Sequence, residues 1–516
     1  MLLLHLLIIL LCWHADGARI LGIFPTPSIS HQLPMQAIMK ALAARGHQVT
    51  VISPNPLPDP PTNYTDVDLS FTYEHLHSHF DFARLPFMTG EEFVIAICTH
   101  AIKLCDAQLS SKSLQDFMRT NNEMFDMVIY EPHAYQCYYG LYHKMGSPPL
   151  VGVFSLGSLS PTLWAIGNPD HPAFSPDWAN PFSDHMTFWE RMYSTLSKLW
   201  MNYYWNYEVI PAQEKVMRKY FGSAPPPVAE TERNKSLLLV YNHWSLDYPR
   251  PLLPNVVPIT GLHLQQSTSP LPQKIKQFID EAKEGVIYFS MGSNVRSDEL
   301  SKTKIAAILE VFSEIPQRVI WKWESDSLPG QPANVMIAKW LPQQDILAHS
   351  NIRAFIFQCG LQSLQEATYN AVPLVGIPIF SDQAYNAKYI ETIGIGVKLE
   401  FDDLSKETLL EALKKVLHDP RYRNKMQQVS AMYREEVPVS LDRAIWWIEY
   451  VLRHKGAPHL RSAALDLYLY QYLLLDVIAA ILLALTVVFI IAYYILKLLF
   501  SYVSQSKLVS FVKKNQ

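Results

Sequence analysis

Hydrophobic positions along the chain fall into short apolar runs separated by amphipathic stretches. "RILGIF" (residues 19–24) reads as a buried strand, "PMQAIMKALAARG" as a helix stopped by Gly46, and "HQVTVIS" as a second strand. That βαβ rhythm belongs to a parallel sheet, whose strands are buried on both faces and read as nearly continuous apolar runs. "FDMVIYE" (125–131) and "PLVGVFS" (149–155) continue it, and then the pattern restarts. "GVIYFSMGS" (285–293), "QRVIWKW", "NVMIAKW", "IRAFIF" and "PLVGIPIF" are five further strands. Between the two sets lies "LQQSTSPLP" (264–272), polar and Pro-bearing, a linker. The pattern predicts an α/β protein of two doubly wound, Rossmann-like domains, residues 18–263 and 273–455, facing one another across a cleft.

Both ends are apolar for different reasons. Residues 1–17, with apolar stretches at 2–4 and 6–12 and small residues at Ala15 and Gly17, fit a cleaved signal peptide without its basic start; the alternative is a buried first helix. Residues 477–496, "VIAAILLALTVVFIIAYYIL", are uncharged throughout, and as a helix they extend about 30 Å, the thickness of a hydrocarbon core. A juxtamembrane segment (456–476) precedes this span. Lys497, Lys507, Lys513 and Lys514 follow it with no acid, so the positive-inside tendency leaves residues 497–516 in the cytosol and the domains in the lumen. The terminal "KKNQ" resembles the dilysine signal of endoplasmic reticulum residents, or is a set of cations attracted to anionic lipid.

Composition narrows the class. A net charge of -4, with 17% charged and 49% apolar residues, describes an ordered protein with no basic field for nucleic acid. Cys98, Cys105, Cys137 and Cys359 contain no CxxC pair and are too sparse for a disulfide framework or a zinc site. Asn63 and Asn234 open sequons that a lumenal chain could glycosylate.

In open parallel sheets ligands bind at the carboxyl ends of strands. "AFIFQCGLQSLQEA" (354–367) is a strand breaking at Gly360 into a helix that begins near Ser363, whose free N–H groups and dipole suit a phosphate. Ser363 and Glu366 equally form a capping box, which would start any helix. The flanking order, Trp-x-Pro-Gln, His, the Gly turn, Glu, Pro, then Asp-Gln with Asn three residues on, closely resembles the signature of the UDP-glycosyltransferase family. "FSMGS", "NPDHPAFSPDW", "MTFWERM", "AIWWIEYVLRHKGAPHLRSAALDL" and the lysine-tailed anchor extend the resemblance over nearly the whole chain, most like the insect microsomal branch.

The resemblance implies the GT-B fold and an inverting transfer of sugar from a UDP-sugar to a hydroxyl of a small lipophilic acceptor. Trp340 would stack on uracil with Gln343 beside it, although Trp340 could equally be core. Ser293, Gln358, Cys359, Gly360, Gln362 and Ser363 would meet the UDP, Glu366 the ribose hydroxyls, and Asp382 and Gln383 the sugar. Gln383 looks like the glucose-using members; UDP-glucuronate, UDP-galactose or UDP-N-acetylglucosamine are alternatives. Gln358 stands where many members have His and carries no charge, and Phe357 stands where Thr is frequent. His31 would be the general base, oriented by Glu131 where many members have Asp; Asp126 is the other candidate. Without the resemblance, a lone His and loop carboxylates are ordinarily structural. No D-x-D lies near the signature, so no metal or cofactor is expected. The stretch 164–207 holds five of the twelve tryptophans, suiting an apolar pocket, a membrane-facing surface or a core. Gln358, Phe357 and Glu131 together leave open a UDP-sugar-binding or lipophile-binding protein without turnover.

Overall fold

In the computed structural model, residues 17–79, 82–121, 123–157, 159–264 and 270–514 are described. The expected signal segment up to residue 16 and residues 265–269 of the expected linker lie outside them.

The first sheet has seven parallel strands: β1 (Arg19–Ile23), β2 (Gln48–Ser53), β3 (Tyr64–Asp68), β4 (Met127–Tyr130), β5 (Leu150–Phe154), β6 (Leu237–Tyr241) and β7 (Val256–Ile259). They run in the order β3-β2-β1-β4-β5-β6-β7. The second has six, β8 (Val286–Ser290), β9 (Arg318–Lys322), β10 (Val335–Ala338), β11 (Ile352–Phe357), β12 (Leu374–Gly376) and β13 (Gly396–Lys398), ordered β10-β9-β8-β11-β12-β13 and again parallel. Alternate residues of each strand enter opposite cores. Leu21 and Ile23 of β1 pack on one side with Leu104 and Leu109, while Ile20 packs on the other with Met35, Ile38 and Met39.

β3, β6, β7 and β13 add to the strands that the apolar runs predict. β3, β7 and β13 are sheet edges: the first is half exposed and polar, the second carries Pro258, the third is three residues long. β6, "LLLVY", is wholly buried, so its apolar run was a readable signal.

Seven helices position the rest: α1 (Ile29–Ala44), α2 (Gly90–Ser110), α3 (Gln343–Leu347), α4 (Leu361–Tyr369), α5 (Gln383–Ile393), α6 (Pro420–Arg453) and α7 (Leu475–Lys514). α1 starts five residues before the Pro34 at which the apolar spacing begins it, so His31 lies in its first turn. Pro34 cannot donate to the Ser30 carbonyl, and that carbonyl accepts instead from Gln362 Nε2 of the second domain. α6 straps the two sheets together. Its Met426, Val429 and Tyr433 lie in the second domain's core, and its Ala444, Ile445, Ile448 and Val451 lie in the first domain's.

Cys105 and Cys137 are joined in a disulfide, a single bridge that was not anticipated and that makes no framework. One link between α2 and the residues after β4 leaves no spacing signature. Closing that 32-residue separation stabilises the fold by about 3 to 4 kcal/mol in the chain-entropy picture.

Residues 462–516 form a separate compact unit. Within it, 31 residues of α7, Leu475–Gln505, are long and apolar enough to cross a membrane and have no buried side chain. The expected span, 477–496, lies inside them. α2 passes the same length and composition test, but half of it is buried and it is a core helix.

Candidate active site

In a doubly wound sheet the binding crevice opens where connections leave neighbouring strands in opposite directions. That point falls between β1 and β4 in the first sheet and between β8 and β11 in the second. The loops leaving all four strands line one cavity of about 570 Å³.

On the first sheet's side, His31 Nδ1 lies 2.6 Å from Glu131 Oε1. Glu131 follows β4 directly and its side chain has no exposed surface, while that of His31 keeps 13%. Thr26 Oγ donates to Glu131 Oε2 at 2.6 Å, and Ser155 Oγ donates to Oε1 at 3.1 Å while standing 2.8 Å from His31 Nδ1. Burial pushes the Glu131 carboxyl up, but the neighbouring His31, with its hydrogen bond and that of Thr26, outweighs it and holds the carboxyl below its usual value. A carboxylate at Nδ1 assigns the proton to that nitrogen and leaves the Nε2 lone pair free. His133 packs edge-on to His31, with ring centroids 5.5 Å apart, and burial with the His31 charge lowers it to about 4, so it stays neutral. Ligand-type atoms of His31, Glu131 and His133 lie within 4.8 Å of one another, a set that could hold a metal ion. Asp126 sits at the opposite end of β4, where it accepts from the Arg19 N–H at 2.8 Å.

On the second side, α4 starts at Leu361 with Gly360 as an extended N-cap at φ -65°. The left-handed residue of the turn is Cys359 at φ 67°, not Gly360. Its thiol is buried and packs over Gly376, where an added Cβ would stand 2.4 Å from Sγ. Gly292, after β8, is needed twice: its φ is 80°, and a Cβ there would meet Gln358 Nε2 at 2.0 Å. Gln358 Oε1 is buried with no hydrogen-bond partner in the protein. Ser293 is exposed on the same loop and lines the cavity.

Ser363 and Glu366 do not cap α4, whose N-cap residue makes no side-chain bond. Ser363 Oγ accepts from Gln343 Nε2 at 2.9 Å, and the Glu366 carboxylate takes Gln343 and, at 3.1 Å, Gln344. Tyr288 OH fixes the Gln343 carbonyl at 3.1 Å. Burial raises Glu366 to about 7 against those two amide bonds, and it lowers the neighbouring His263 to about 4, which leaves that imidazole neutral. Trp340 is 67% exposed at the cavity, which removes the core reading. Asp382, the N-cap of α5, accepts from Asn386 at 2.8 Å, and burial raises it to about 6. Gln383 Oε1 holds the preceding loop by the N–H groups of Ile379 (2.9 Å) and Phe380 (3.0 Å).

Between the two sides Leu85, Phe93, Ile97, Leu156, Trp178 and Phe380 give the cavity an apolar wall. Of the five tryptophans in 164–207, Trp178 lines it, whereas Trp189 is exposed. Thr26, Ser155, His133, Gln344 and His263 were not anticipated. Ser155 and Thr26 follow β5 and β1, so the rule that ligands bind at the carboxyl ends of strands could have found them.

The chain matches the family model described as "UDP-glucoronosyl and UDP-glucosyl transferase" over residues 20–514. UDP-glycosyltransferase UGT5 of Dactylopius coccus is 36% identical over 95% of this chain and 93% of its own. UDP-glucuronosyltransferase 2B19 of Macaca fascicularis is 31% identical over 94% of each chain. Among solved structures, Os79 from O. sativa in complex with UDP shares the fold, with a TM-score of 0.55 at 16% identity over 84% of this chain and all of that one. Two Rossmann-type sheets with an active-site cleft between them are the GT-B architecture, and the chain belongs to the family of UDP-glucuronosyl and UDP-glucosyl transferases.

Proposed function

We propose that this glycosyltransferase moves glucose from UDP-glucose to a hydroxyl of a small lipophilic acceptor, with inversion and with His31 as general base. The observation that carries this reading is that His31, held from behind by the buried Glu131, lines the same cavity as the Glu366 and Asp382 carboxylates. The acceptor oxygen forms a bond to sugar C1 as the C1–O bond to the diphosphate breaks. Its proton passes to His31 Nε2, and Glu131 stabilises the imidazolium. UDP leaves with the bonding electrons toward the N-terminus of α4 and Ser293, where N–H groups and the helix dipole favour negative charge. In this reading Trp340 stacks on uracil, as its exposed face allows, and Glu366 accepts from the ribose hydroxyls. The complex of Os79 with UDP supports the same donor here. Glucuronate remains the competing sugar, since the macaque relative is named for it; offering both UDP-sugars and measuring UDP release decides, and exclusive use of UDP-glucuronate would overturn the glucose assignment.

α7 is proposed to anchor the chain in the endoplasmic reticulum membrane with the domains in the lumen. The Cys105–Cys137 bridge and the exposed sequon residues Asn63 and Asn234 fit an oxidising, glycosylating compartment. Protease added to sealed microsomes should then remove only the tail beyond Leu496, and digestion of the main domains without detergent would contradict it.

His31→Ala should leave UDP affinity nearly intact while transfer falls by about 10² to 10⁴-fold, with the smaller losses for acidic phenols that need less help to ionise. Initial rates against acceptor pKa measure this. Full activity in the variant would remove His31 from the mechanism.

Glu366 yields a pH prediction. Protonation removes the carboxylate charge and turns one of its two acceptor oxygens into a donor, so nucleoside binding should weaken as pH falls through about 7 and be level above it. Uridine is the ligand to use, because it carries no titrating phosphate. Calorimetry should find the slope in the wild type and none in Glu366→Gln, whose binding is weak at every pH; the same slope in both would assign the titration elsewhere.

A further inference from the structure

The donor half of the cavity has an unbalanced charge. Asp345, Glu366 and Asp382 line it, Gln358 carries no charge, and the diphosphate of a UDP-sugar would bring two more negative charges. Among the described residues that line the cavity, Lys322 is the one lysine or arginine.

The sheet places it well. Trp321 pairs with Phe289, so Lys322 stands beside Ser290, which in turn pairs with Phe357. Lys322, Ser290 and Phe357 thus form a row across three strands at the carboxyl edge. Two strand spacings, about 10 Å, separate the lysine backbone from the start of the turn into α4. By alternation Lys322 shares a face with Ile320 and Tyr288, the face that Ile346 of α3 and Leu364 of α4 cover. Its ammonium donates to Glu324 Oε1 at 2.6 Å, and Glu324 Oε2 accepts the Ser297 N–H at 2.7 Å, fixing the loop that follows β8. The Lys322 side chain is 11% exposed, so the charge is held in place before any ligand arrives.

Resting on the reading of this cavity as a UDP-sugar site, we propose that Lys322 is its diphosphate-binding cation. A lysine has three N–H donors, so it keeps Glu324 and takes a phosphate oxygen together. When the bond between C1 and the β-phosphate oxygen breaks, the electron pair stays on that oxygen, and the nearby ammonium stabilises it without giving up a proton. Charge-assisted bonds of this kind are about twice as strong as neutral ones.

The test compares ligands with and without phosphate on the detergent-solubilised full chain. Calorimetry gives the affinities of UDP and uridine for the wild type and for Lys322→Met, Lys322→Gln and Lys322→Arg; uridine binding certifies a folded site in each. Both neutral variants should lose about tenfold to a hundredfold in UDP affinity while uridine affinity holds, and Lys322→Arg should restore most of the UDP binding. An unchanged ratio of the two affinities overturns the assignment. Equal weakening of both ligands, complete loss included, also overturns it by making Lys322 a support for the loop. If the wild type binds neither ligand, it is the reading of the site as a UDP-sugar site that fails instead.

Discussion

Taking a carboxylate wholly out of water costs several kcal/mol unless donors replace the lost hydration. Glu131 is such a group, and its three donors come from two places: Thr26 and His31 after β1, and Ser155 after β5. Satisfying one buried charge therefore fixes the carboxyl ends of three adjacent strands relative to each other. It also orients the imidazole in the first turn of α1, with Nε2 left for chemistry. The length of the Glu131 side chain does not separate the pair, since the 2.6 Å contact is made.

Among the contacts that join the second domain to this arrangement, two are of unlike kinds. α6 contributes apolar residues to both domains' cores, which is strong but unspecific. The bond from Gln362 to the Ser30 carbonyl is local, and it exists because Pro34 leaves that carbonyl without its helical partner. It ties the N-terminus of α4 to the residue before His31. Asn294, beside Ser293, makes a second link of this kind by donating its Nδ2 N–H to Ser28 Oγ at 3.3 Å. The turn itself departs from a simple glycine hinge. Cys359 takes the left-handed conformation, its thiol filling space over Gly376, while Gly292 leaves room for the Gln358 amide.

Much of this was legible because parallel sheets write simple patterns. Apolar runs located nine of the thirteen strands, and the strand-end rule led to the turn before α4, whereas His31 and Glu131 came from the family resemblance. Three of the four edge strands escaped, most plainly the polar β3, where solvent on one side removes the hydrophobic demand; the fourth, β10, was located. The start of α1 escaped because Pro34 looks like a helix beginning, yet Ser28 begins it and the chain tolerates the proline inside. The disulfide depends on α2 meeting the segment after β4, a contact that spacing does not encode. Ser363 and Glu366 matched a capping box by sequence, but their partners come from α3, and only the fold could reveal that.

The central claim is that the acceptor's base and the departing UDP act from opposite sides of one cleft. Attack opposite the leaving group inverts the configuration at C1, whatever the acceptor. Proton NMR of the product formed from α-linked UDP-glucose measures this directly through the anomeric signal. A β-glycoside is the result the account predicts, and an α-glycoside would contradict it.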